Sequence, residues 1–306
     1  MTRRTEWFHP RGDLSQDGWE SVVDDTLHGW AHTGLRVGSL DGDARLELPA
    51  APVERIVVPL TGAVLVTYTE PGQDVVLADL AGRRSVFDGP TDVLYLGSGS
   101  SATLRGTGRV AVAEAPTDER RPARHVTRDE VPLELRGAGR SSRQVHNFGT
   151  PGTLDAVKLI VCEVITPSEN WSSYPAHKHD EHVAGHESRL EEIYYFESDV
   201  ARGQAAPDGA DPFGMFATYT SPAGEIEIDA MVRTGDIALV PFGYHGPAVA
   251  APGYDLYYLN VMAGPDPERA WLISDDPAHG WVRDTWTGQE IDARLPYGTD
   301  ETPEGR

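Results

Sequence analysis

The chain has 306 residues, enough for two domains or one large β domain. It carries 26 Lys and Arg against 48 Asp and Glu, a formal net charge of −22; a surface that acidic repels phosphate backbones and argues against a nucleic-acid partner. With 39% hydrophobic and 24% charged residues the composition is that of a folded globular protein, and a single cysteine, Cys162, excludes a disulfide framework.

In chain order, Met1–Asp13 is polar, contains Pro10 and lacks the apolar core of a signal peptide. No run approaches the ~18 apolar residues that span a bilayer. The expectation is a cytoplasmic protein with no membrane partner; a homo-oligomer is allowed. Asp17–His28 is expected to form one short helix. Strand-length runs follow at Arg55–Val58, Ala63–Tyr68, Asp74–Asp79, Val93–Leu96 and Arg109–Glu114, separated by turn residues such as Thr61-Gly62 and Pro71-Gly72. Thr117–Gln144 is charged and rich in Arg, and reads as a connection. The second half repeats the rhythm at Ala156–Ile165, Glu192–Glu197, Glu225–Ile228, Asp236–Val240 and Tyr254–Met262. Cys162 lies in an apolar run and reads as a buried small hydrophobe. Pro267–Ile273 is expected to add a helical turn or two. Trp271, Trp281 and Trp286 read as core or interface anchors, and the Pro296–Arg306 tail as loosely held. Many short strands with scarce helical periodicity predict an all-β protein built from two barrels, 1–125 and 126–306.

Three features carry chemistry. In His177-Lys178-His179, residues two apart share a face of a strand, so both imidazoles are presented together as a pair of metal ligands while Lys178 points away. Glu192 opens the apolar, aromatic run to Phe196, where a buried carboxylate is costly unless paired or bound to a metal. Glu191 competes for that role, but alternation puts Glu192 on the face of Tyr194. Finally, Gly235-Asp236 leads into an apolar strand, and Pro241-Phe242-Gly243 delivers His245 at its end.

Together these features resemble the cupin motifs: His-x-His with a downstream Glu, then Gly, five residues, Pro-x-Gly and His. The gap from His179 to Glu192 is longer than the family's, which leaves Glu187 and Glu191 as alternatives. The segment Glu163–Asp180, with its Asn170-Trp-Ser-Ser and His177-Lys-His, looks like the 5-deoxy-glucuronate isomerases of inositol catabolism. So do Leu190–Tyr195, Val240–His245, Gly253–Gly264, Pro59–Gly62 and Gly82–Phe87. That family is similar in turn to the 4-deoxy-threo-hexosulose-uronate isomerases. The resemblance implies two tandem cupin (jelly-roll) barrels and isomerisation of 5-deoxy-glucuronate to 5-dehydro-2-deoxy-gluconate. It also implies one divalent metal ion, Zn, Mn, Fe, Co or Ni, on His177, His179, Glu192 and His245.

An aldose–ketose isomerisation also needs a base, for which Glu191, Asp255 and the tyrosines 194, 244 and 257 are candidates. A uronic acid substrate needs a cation for its carboxylate. Arg143 ranks above Lys178, which alternation turns away, with Arg189 a further candidate and Tyr244 a further contact. The first half has no His-x-His, and residues 31–124 hold a single histidine, His32, so that barrel is expected to lack a metal site and to serve packing or assembly.

Overall fold

A computed structural model describes residues 6–298, and within them the chain is all-β, as expected. Helical structure among the described residues is confined to short 3-10 turns, the longest Gly280–Trp286. None is long and apolar enough to cross a membrane.

The first barrel is an eight-stranded sheet made by Ser21–Val23, Gly34–Asp41, Leu46–Leu48, Val53–Thr69, Val75–Arg83, Val93–Leu96, Ser101–Pro116 and Arg124–Val126. The long strands Val53–Thr69 and Ser101–Pro116 pair along their whole length, with a register break between Pro59 and Thr61. Beside that break the two backbones nearly touch. A Cβ on Gly62 (φ +75°) would lie 1.9 Å from the Thr107 carbonyl oxygen, so only glycine fits.

The second barrel is a two-sheet sandwich. Its seven-stranded sheet runs, in spatial order, Phe8–His9, Ile237–Val240, Glu191–Val200, Tyr254–Ala263, Ile160–Thr166, Arg143–Gly149 and Leu133–Arg136. The facing sheet contains Ile228–Val232, Gly214–Tyr219, Tyr244–Ala250, His177–Lys178 and Ser274–Asp275, with Trp171–Ser172 on its side. Both faces of the central strands Ile237–Val240, Glu191–Val200, Tyr254–Ala263 and Ile160–Thr166 are buried, which is why these strands are rich in apolar residues. Tyr194, Phe196, Tyr258 and Met262 fill the inside of the barrel. Their alternating neighbours Ile193, Tyr195, Tyr257 and Leu259 pack outward against Ile56, Tyr95 and Ala113 of the first barrel.

Several local expectations are corrected. Asp17–His28 is not helical: Ser21–Val23 is drawn out as an edge strand on Gly34–Asp41. Pro267–Ile273 has no helix, and the 3-10 turn comes later, at Gly280–Trp286. The strand expected at Glu225–Ile228 begins at Ile228. The connection Thr117–Gln144 contains the strands Arg124–Val126 and Leu133–Arg136. Chain order and barrel membership also part at the edges, since Arg124–Val126 pairs with Val93–Tyr95 whereas Phe8–His9 joins the second barrel through Ile237–Ala238. The tail is held as far as Tyr297, which is buried, with its hydroxyl 3.0 Å from Asp255 Oδ2; residues 299–306 lie outside the described residues.

Candidate metal centre

His177 and His245 are register partners on neighbouring strands, and the His179 ring lies 4.6 Å from that of His245. All three are buried, and one potential ligand atom from each falls within 4.8 Å of the others. Each Nδ1 faces a backbone carbonyl: His177 that of Pro175 (3.2 Å), His179 that of Leu190 (3.1 Å) and His245 that of Gly243 (3.1 Å). Those contacts engage Nδ1, the usual outer support of metal-ligating histidines, and leave Nε2 as the ligand atom on each ring; burial lowers the His179 imidazole, but the hydrogen bond from its Nε2 to Glu192 raises it overall. Burial, and then the neighbouring His245 and His179, push His177 well below the ordinary imidazole range, so it is neutral at pH 7.

Glu192 completes the set. Its Oε2 lies 2.9 Å from His179 Nε2 and 3.1 Å from His245 Nε2, and Asn260 Nδ2 donates to Oε1 at 2.5 Å. Burial alone would raise this carboxyl, but the contacts with His179 and His245 hold it well below the usual carboxylate range. His245 Nε2 is buried and makes no aligned hydrogen bond. Three imidazole nitrogens and one carboxylate oxygen, all buried, fit a divalent metal ion.

The long spacing between His179 and Glu192 is closed by a hairpin. Asp180–Val183 pairs with Glu187–Arg189, and the Leu190 N–H donates to the His179 carbonyl at 2.9 Å. The chain therefore returns to where it left, and Glu192 follows on the face of Tyr194. Glu187 is turned elsewhere: with Asp180 and Glu181 it surrounds Lys178 Nζ at 2.7–2.8 Å. That ammonium sits where the three carboxylates converge, so Lys178 has no free charge for a substrate, and the acidic cluster already holds its cation. Asp180 further ties the two histidine segments together, accepting from Ser221 Oγ (2.5 Å) and the Gly243 N–H (2.8 Å).

Other candidates lie away from the histidines. Glu191 alternates to the outer face, where its carboxylate accepts the N–H groups of Ala31, His32 and Thr33 at 2.7–3.2 Å. Tyr257 also faces outward and donates to Glu163 Oε2 at 2.8 Å. Asp255 accepts from the Ser168 and Arg202 N–H groups at 2.8 and 3.0 Å as well as from Tyr297. These three proposed bases are corrected to anchors between segments. Tyr244 alternates away from His245 and stacks on Tyr219 at 5.4 Å. Arg189 is exposed and pairs with Asp266. Arg143 is buried inside the second barrel, and Cys162 is buried with its thiol pushed up to about 12 by burial. Of the tryptophans, Trp281 is 62% exposed and anchors no core. Sequence reading missed Asn260; its signal is an amide inside the apolar strand Tyr254–Ala263.

The chain matches the KduI/IolB family over residues 7–282. It belongs to that family. A relative named 5-deoxy-glucuronate isomerase, from Geobacillus thermodenitrificans, is 38% identical over 84% of this chain and 88% of its own length. One of the same name from Lacticaseibacillus casei is 36% identical over 83% and 88%. The crystal structure of an IolB-like protein from Salmonella typhimurium LT2 aligns with a TM-score of 0.78 at 32% identity, covering 90% of this chain and 98% of that one. An oxalate decarboxylase from Lactobacillus farciminis, at TM-score 0.60 and 10% identity over 88% of each chain, shares the tandem cupin fold alone.

Proposed function

We propose that this chain is an aldose–ketose isomerase that converts 5-deoxy-glucuronate to 5-dehydro-2-deoxy-gluconate with one divalent ion on His177, His179, His245 and Glu192. The observation that carries the reading is the three imidazoles engaged through Nδ1 by carbonyls, with one ligand atom from each within 4.8 Å of the others and the Glu192 carboxylate against two of them. The relatives' names support the choice of reaction. Zn, Mn, Fe, Co and Ni all accept this donor set. When bound, such an ion polarises a carbonyl and stabilises negative charge developing on oxygen as a proton moves between adjacent carbons.

The surrounding residues hold the centre and exclude water. Asn260 fixes the Glu192 carboxylate, and Asp180 fixes the turn that carries His245. Tyr194 projects from the Glu192 face with its ring 6.1 Å from that of His245 and its hydroxyl 3.0 Å from Ser173 Oγ. Burial, followed by the Glu192 charge, raises that hydroxyl well above its ordinary value. Tyr194 therefore keeps its proton and serves as a donor, not as the base. The first barrel braces the outer face of the seven-stranded sheet. The same proposal places the enzyme in inositol catabolism in the cytoplasm, as its motifs imply.

The test is turnover of 5-deoxy-glucuronate by metal-loaded protein without oxygen, followed by NMR in deuterated water. The expected result is the 2-keto isomer with deuterium on the carbon that gains hydrogen. Absence of ketose, or oxygen uptake during turnover, overturns the reading and favours a metal-dependent cupin dioxygenase.

A further inference from the structure

The inner wall of the second barrel carries a positive charge that makes no ion pair with a carboxylate among the described residues; Glu134, committed to Arg136, acts on it only from a distance. Arg143 is 6% exposed, and its one hydrogen bond is from Nη1 to the Ser141 carbonyl at 3.0 Å. Its neighbours have spent the nearby carboxylates. Arg136, its register partner, pairs with Glu134 at 2.7 Å, and Arg283 pairs with Asp275 at 2.7 Å. Burial pushes the Arg143 guanidinium down to about 10, with Arg136 and Arg283 adding to the effect. A buried charge without a counter-charge is expensive, and an anionic ligand removes that cost.

A second orphan lies in the same cluster. The Trp271 indole Nε1–H is buried without an acceptor, and Arg136 lies over the Trp271 ring at 5.4 Å. The ring of Trp286 is flanked by Arg143 at 5.6 Å and Arg283 at 5.4 Å. Donors with no acceptor and flat aromatic walls match a planar carboxylate, which a guanidinium grips through two parallel N–H groups. Arg143 shares the inner face with Val145 and Tyr258, and Tyr258 lies within electrostatic reach of both Arg143 and Glu192.

We propose that Arg143, with the Trp271 indole N–H, Arg283 and the ring of Trp286, forms a carboxylate-binding site inside the second barrel. It takes the acid end of the sugar acid whose carbonyl end meets the histidine–glutamate centre, an assignment that rests on the isomerase reading. The site makes the enzyme selective for uronic acids over neutral aldoses, because a neutral sugar leaves the buried guanidinium unpaired.

The experiment measures binding as well as turnover. Titration of D-glucuronate and D-glucose, read by tryptophan fluorescence, is expected to favour the acid by about 100-fold or more. Turnover of 5-deoxy-glucuronate should exceed that of 5-deoxy-glucose by a similar factor. Arg143→Gln should cost about 100-fold in glucuronate binding at unchanged metal content, and Arg143→Lys should recover part of it. Because Arg143 is buried, Arg283→Gln on the partly exposed 3-10 turn supplies a variant outside the barrel wall, with an expected loss of about 10-fold. Equal binding of acid and neutral sugar by the wild type, or an unchanged preference in the folded variants, overturns the proposal. Arg143-dependent glucuronate binding with no turnover of any aldose keeps the carboxylate site and overturns the isomerase reading instead.

Discussion

Each histidine of the centre is held at two points, its strand position and a carbonyl on Nδ1, so losing a single ligand leaves a weakened but still shaped pocket. The purified protein should hold about one metal per chain, and His177→Ala or His245→Ala should lose it together with activity, as metal analysis will show. Between the adjacent glutamates, Glu192→Gln should lose the metal, whereas Glu191→Gln should keep it. The latter weakens the acceptor of three N–H groups and should lower stability by about 1–3 kcal/mol in denaturant titration. Asn260→Leu removes the donor that orients Glu192 and should reduce metal affinity about 10–100-fold in competition with a chelator.

The seven-stranded sheet decides which polar residues can reach the chemistry. Along Tyr254–Ala263 the inward set is Leu256, Tyr258, Asn260 and Met262, and the outward set includes Tyr257, Leu259 and Val261. A tyrosine in the middle of an active barrel's strand is therefore no guide to catalysis until its face is known. Tyr257→Phe should leave metal content and kcat unchanged and cost about 0.5–1.5 kcal/mol of stability from the lost hydrogen bond to Glu163. The hairpin from Asp180 to Arg189 is the other deciding element. It turns an irregular sequence spacing into a regular spatial one, and the buried Lys178 just before it neutralises carboxylates that line it.

The two barrels hold each other by exchanging carboxylates. Glu54 of the first accepts the N–H groups of Val157, Lys158 and Leu159 at 2.5–2.7 Å, and Glu191 of the second accepts three from residues 31–33. Between them the buried pair of Arg83 and Glu163 closes at 2.6 Å, with His146 Nδ1 also 2.6 Å from Glu163. Burial raises the Glu163 carboxyl, but Arg83 and then His146 overcome this and hold it at about 2, below an ordinary 4.5. A carboxyl depressed on folding stabilises fully above its unfolded value, and that stabilisation is lost as pH falls from about 4.5 toward 2. Wild-type stability should drop across that window in pH-dependent denaturation. Glu163→Gln should flatten the drop and cost about 3–5 kcal/mol at neutral pH, because Arg83 is left buried without its partner. By contrast Val64→Ala, inside the first barrel, should cost about 0.5–3 kcal/mol and leave the metal in place.

The sequence by itself determined the all-β class, the shared face of His177 and His179, and the opposite faces of Glu191 and Glu192. These follow from the two-residue period of a strand, which needs no partner to be read. The KduI/IolB kinship was legible in motif blocks such as Asn170-Trp-Ser-Ser and His177-Lys-His. Tertiary structure alone decided the rest. A strand buried on both faces shows no polar side in its sequence, so the outward role of Tyr257 appears only once the first barrel is seen against that sheet. The pairing of Lys178 with Asp180 and Glu187, and the lack of any such partner for Arg143, depend on which strands lie side by side, and pairwise charge compensation across a fold leaves no local mark.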